Sequence, residues 1–99
     1  MRTNNNEMCD EKVYEYLKKM DFMKLGKAIS ESKWQIAMMT VSRLQNDAKT
    51  LEITEFDNYY PRLRQCIAAK NRLQGLNIMS QITSKRVSLI NNYKSREEK

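Results

Sequence analysis

Two glycines and one proline in 99 residues constrain this chain more than any other feature. Sandwiches and barrels need frequent tight turns, and those turns draw on glycine and proline. A chain so poor in both reverses direction only a few times, which suits helices. Lys, Glu, Gln, Met, Leu and Arg, which lose little rotamer freedom in a helix, dominate the apolar-periodic regions. The expectation is an all-α fold built around a single core.

Hydrophobic spacing divides the chain into segments. Residues 1–8 are polar and rich in Asn and read as a disordered tail, ending where Asp10 can cap a short first helix striped by Val13, Tyr16, Leu17 and Met20. Asp21 can cap a second short helix carrying Phe22, Leu25 and Ile29, with Gly26 interrupting its regularity. Ser30 or Ser32 can open a third, from about Lys33, on which Trp34, Ala37, Val41, Leu44, Ala48 and Leu51 form a heptad-like seam. That helix is expected to be central.

Thr54 and Glu55 mark the next start, and the stripe Phe56, Tyr59, Tyr60, Leu63, Cys66, Ile67 crosses Pro61. Either a kink or a fresh first turn is expected at that proline. Gly75 reads as a helix stop, and a last helix runs from about Leu76 to Tyr93 on Ile78, Met79, Ile82, Leu89 and Ile90. Arg86 falls inside this apolar sector, where its head must reach solvent or meet an acidic partner. Short connections make successive long helices antiparallel neighbours. The expected architecture is an antiparallel up-and-down four-helix bundle with an additional short N-terminal helix, one domain over residues 9–97.

The chain contains no histidine. The commonest general base, the commonest metal ligand and any phosphohistidine are therefore missing together. Cys9 and Cys66 form no CxxC and read as reduced thiols, Cys66 in the core. No cofactor or metal site is expected. Asp47, Glu52, Glu55 and Asp57 lie at helical spacings without a nucleophile or ligand pattern, so they read as solvated surface and not as an enzyme's acids. No apolar run approaches the roughly 20 residues that span a bilayer, and a cytoplasmic location is expected.

The net charge is +6, and most of the basic excess falls in residues 61–99. Such a field attracts nucleic acid or an acidic protein. Arg62, Arg64, Lys70, Arg72, Lys85 and Arg86 are the candidate set for nucleic-acid binding, the alternative function.

The segment SRLQNDAKTLEI, Ser42 to Ile53, resembles the signature helix of histidine phosphotransfer (HPt) domains, His-x-Leu-Lys-Gly-x-Ala-x-x-Leu-Gly. Leu44, Ala48 and Leu51 match its core positions. Ser42 stands where the phospho-accepting histidine belongs, Gln45 where the lysine belongs, and Asn46 and Glu52 where the two glycines belong. The resemblance extends from about Asp21 to Tyr93 through the order of the helices and the Trp34 entry. It implies an HPt-like bundle from which the phosphotransfer chemistry is missing. Serine replaces imidazole, an amide replaces the cation that neutralises phosphoryl oxygens, and Asn46 adds bulk where a glycine makes room for a receiver domain.

The implied function is a non-catalytic, pseudo-phosphotransfer interaction module in two-component signalling. Its partner is a response-regulator receiver domain or a sensor kinase, and the chain is expected to be a monomer. Met38, Met39, Ser42, Gln45, Asn46 and Lys49 form the candidate docking face by i+3 and i+4 adjacency. The two methionines there are either an adaptable binding patch or ordinary core beneath the short second helix.

Overall fold

The computed structural model describes residues 11–97. The expected tail over residues 1–8, Cys9 and the Asp10 cap lie outside the described residues. Among the described residues there is no strand. A helical stretch over residues 11–17 precedes four helices: α1 (Asp21–Ser30), α2 (Trp34–Thr50), α3 (Tyr59–Ala68) and α4 (Arg72–Glu97). Principal contacts run from α1 to α2, α2 to α3, α3 to α4 and α4 back to α1. Together the four enclose one core.

The apolar seam read on α2 is real: Ala37, Val41, Leu44 and Ala48 are buried, with Trp34 and Leu51 packed partly against them. Phe22, Leu25 and Ile29 face them from α1, Tyr60, Leu63, Cys66 and Ile67 from α3, and Ile78, Met79 and Ile82 from α4. Tyr16 and Leu17 close one end of this core, and the Tyr14 ring stacks on Tyr93 of α4 at 4.4 Å. Met20 does not continue their stripe. The helical stretch has ended by then, and Met20 is 66% exposed.

Three helices end in the same way. Ser32, Glu52 and Lys70 have φ of 59, 60 and 56°, and each follows the C-cap of α1, α2 or α3. The amide after each one reaches back to Ala28, Ala48 or Cys66 at 2.8 Å. This is the Schellman closure, whose left-handed residue is usually glycine. The chain spends neither of its glycines there.

Gly75 is accordingly no helix stop. It lies buried within the first turns of α4, where an added Cβ would stand 3.2 Å from Ile29 Cγ2 and 3.9 Å from Cys66 Cβ. Its role is close approach of α4 to α1 and α3. The stop falls earlier, at Lys70, and Asn71 reopens the chain at once: its Oδ1 accepts from the Gln74 amide at 3.1 Å, an N-cap.

Other starts differ from their sequence signals. α1 and α2 follow Met20 and Lys33 without side-chain caps, so Asp21, Ser30 and Ser32 cap neither. Asp21 instead occupies the first turn of α1, where its charge suits the helix dipole, and lies 3.7 Å from Arg43. α3 begins at Tyr59 and not at Thr54. Pro61 is then its third residue, where the missing N–H is one the helix leaves unpaired in any case. Phe56, in the turn before it, is still fully buried.

Arg86 meets neither of the fates expected for it. Its Nε and Nη2 donate to the Leu17 carbonyl at 3.1 and 2.5 Å, and its guanidinium lies 4.4 Å over the Phe22 ring. A helix-end carbonyl and an aromatic face thus replace the carboxylate. Arg72 does a similar service, donating from Nη1 to the Ser30 carbonyl at 3.3 Å.

Lys70 is exposed in its left-handed turn, so Lys70→Gly removes backbone strain and little else. The variant is expected to be about 1 kcal/mol more stable, read as a higher urea midpoint at unchanged m-value.

Candidate functional site

The six candidate residues lie along one flank of α2 at two depths. Met38, Ser42 and Gln45 are half-buried at the seam with α3, while Met39, Asn46 and Lys49 stand in solvent. Helical geometry explains the step, because positions 38, 42 and 45 are nearest the core positions 37, 41, 44 and 48. The two methionines divide accordingly. Met38 packs partly against the core, and Met39 is 59% exposed.

A shallow groove lies between α2 and α3, lined by Met38, Gln45, Pro61, Arg64, Gln65 and Ala68. Arg64 crosses it from α3. Its Nη1 donates to Ser42 Oγ at 3.3 Å and to Gln45 Oε1 at 3.1 Å. The residue that meets the Ser42 position was thus assigned by sequence to the nucleic-acid set and not to this face. The sequence carries no signal for this meeting, which depends on α3 beginning at Tyr59 and on how α2 and α3 pack.

A guanidinium beside a hydroxyl and an amide oxygen favours negative charge, but it cannot take a proton from serine. What the arrangement can do chemically is hold an anion. Of the acids, Asp47 points away to an ion pair with Lys19 at 3.4 Å, and Glu52 holds the left-handed turn. Among the described residues no group of three His, Cys, Asp or Glu side chains converges as metal ligands would.

Three of the six basic candidates reach different parts of the chain. Arg64 is directed at α2, Arg72 at the end of α1 and Arg86 at Leu17. Arg86 also has its pKa lowered, by burial first.

Among the described residues the most perturbed groups are two buried tyrosines. Tyr16 Oη donates to the Leu44 carbonyl at 2.6 Å and lies 2.5 Å from Tyr60 Oη. A phenol has one proton, so Tyr60 is the donor to Tyr16. Burial pushes the Tyr16 phenol up to about 12, partly offset by the bond from Tyr60. Burial raises Tyr60 as well, and the bond it donates to Tyr16 raises it further. Such phenols stay protonated at neutral pH.

Comparison with models of known protein families, with curated proteins and with solved structures finds no match.

The proton order makes the two phenylalanine variants unequal. Tyr16→Phe leaves the Tyr60 hydroxyl buried without an acceptor and is expected to cost about 1–3 kcal/mol, whereas Tyr60→Phe removes one bond for about 1 kcal/mol. Urea denaturation of both variants checks the order.

The raised phenol pKa values also give a pH dependence of defined sign. The unfolded tyrosines ionise first, so this contribution is fully present below about pH 10 and is lost as pH rises toward 12, at up to about 1.4 kcal/mol per unit for each group. The Tyr16→Phe, Tyr60→Phe double variant is expected to lose less stability across that window.

Proposed function

We propose that this chain is a non-catalytic HPt-like module: a protein that docks a receiver domain or sensor kinase through the outer flank of α2 and accepts no phosphoryl group. The proposal includes an antiparallel up-and-down order of the four helices, a short N-terminal helix containing residues 11–17, and one domain over residues 9–97. It also includes a monomeric state and a cytoplasmic location. No helix of the described residues is long and apolar enough to cross a membrane.

The observation that supports the reading is the burial pattern along α2. Leu44 and Ala48 are buried and Leu51 half-buried, while Ser42 and Gln45 come to a solvent-facing seam. Support also comes from Glu52, where the resembled pattern has its last glycine. Glu52 has φ 60°, the conformation glycine favours. The topology has support in the pairing of Gly26 with Met79, Gly75 with Ile29 and Arg86 with Phe22. Numbers rise on α4 as they fall on α1.

Phosphoryl acceptance is set aside on chemistry. The chain has no imidazole to form a labile phosphoramidate. Ser42 would form a phosphate ester, a poor donor to an aspartate. The side chain that hydrogen-bonds its hydroxyl, Arg64, is a permanent cation and no base. The nucleic-acid alternative ranks lower because Arg72 and Arg86 are engaged with carbonyls at helix ends and Arg64 with α2.

The test is a pull-down from source lysate with the full chain, beside a Met38→Asp, Lys49→Glu variant of unchanged circular dichroism. Capture of a receiver-domain protein or sensor kinase by wild type is expected, at roughly micromolar affinity, weakened about tenfold or more in the variant. Equal capture by both proteins, or capture of nucleic acid alone, overturns the proposal.

A further inference from the structure

Arg64 differs from the paired cations of the molecule. Lys18, Lys19, Lys33 and Arg43 each lie within 4.0 Å of a carboxylate, whereas no such pair holds Arg64 among the described residues. Its two acceptors, Ser42 Oγ and Gln45 Oε1, are both neutral. They orient the guanidinium without compensating its charge. Both bonds also use the same nitrogen, Nη1, so the Nε and Nη2 donors remain for an acceptor from outside.

The surroundings specify that acceptor further. Lys49 stands one turn beyond Gln45 on the same flank of α2, exposed. The docking face itself, from Met38 to Lys49, has one acid in its sequence interval, Asp47, and that side chain is tied to Lys19. Beside Arg64 the groove offers apolar wall from Met38, Pro61 and Ala68. One cation in an apolar groove, with a second exposed on the same flank of α2, suits a protein surface with clustered carboxylates and one apolar anchor. A duplex backbone would instead call for several cations aligned along a groove, and Arg72 and Arg86 are occupied with carbonyls of the chain.

We infer that Arg64 is the specificity-determining contact of this face, and that the partner it selects is an acidic protein surface whose carboxylate pairs with the guanidinium. This deepens the docking reading above and rests on it for the location of the face. Arg64 supplies from α3 the cation that Gln45 fails to supply on α2. Pre-orientation by Ser42 and Gln45 reduces the ordering cost of binding.

The probe is hexaglutamate, titrated into the full ¹⁵N-labelled chain, with hexalysine and a short random-sequence DNA duplex as parallel arms. Hexaglutamate is expected to shift the amides of Ser42, Gln45 and Lys49 and the Nε–H of Arg64. Arg64→Ala is expected to weaken it about tenfold, the loss of one charge-assisted bidentate pair. Arg64→Gln, which keeps most of the side chain's packing, should lose as much, and Arg62→Ala, on the same helix but off the groove, should bind as wild type does. Shifts confined to other basic residues, equal weakening by Arg62→Ala, or tighter binding of the duplex at this face would overturn the inference.

The outcomes separate this inference from the reading it rests on. Arg64-dependent hexaglutamate binding with no receiver or kinase captured keeps the acidic-partner site and removes the signalling assignment. Receiver capture lost in the Met38→Asp, Lys49→Glu variant but indifferent to Arg64→Ala keeps the module and removes the role of Arg64.

Discussion

The hydroxyl of Tyr16 is the point on which three elements converge. From the helical stretch before α1 it donates to the Leu44 carbonyl of α2 and accepts from Tyr60 of α3. All three groups are buried, so an alternative arrangement of these elements would leave polar atoms unpaired away from water. The same link places the exposed site. Gln45 follows Leu44 on α2, and Arg64 is one turn beyond Tyr60 on α3. With the inner pair locked by hydrogen bonds, the outer pair meets at the seam, 3.1 Å apart. The candidate face is thus the outside of a crossing whose inside is fully satisfied.

Arginine has a second use in this chain, as a connector between elements. Arg72 reaches the last carbonyl of α1, and Arg86 reaches Leu17 while lying on Phe22. Helix C-termini present unpaired carbonyls with partial negative charge, and a guanidinium satisfies them without needing a carboxylate. This changes the meaning of the basic C-terminal third. Part of its charge joins helices, and Arg64 alone of these three connectors stands at a groove open to a partner.

Backbone conformation is distributed unusually. Positions that favour glycine, Ser32, Glu52 and Lys70, carry side chains, and the glycine at Gly75 serves packing against Ile29 and Cys66. This is why Gly75 does not mark a helix end. A glycine marks a stop when it adopts the left-handed conformation, but a scarce glycine inside a helix marks the place where another helix comes near. The Schellman bonds after Ser32, Glu52 and Lys70 hold regardless, because each follows a helix already anchored by its buried face.

The sequence by itself determined the helical class and most of the buried stripes, those of α1 and α2 among them. These follow from spacing, since side chains three and four apart must share a face. It also determined that no imidazole chemistry is available to this chain. Tertiary structure alone decided the partners of Arg64 and Arg86, the proton order between Tyr16 and Tyr60, and the placing of Gly75 within α4. Each of these depends on which atoms of separate helices come within hydrogen-bond or van der Waals distance. Periodicity along one helix carries no information about that distance. Packing of the four helices around a shared core supplies it.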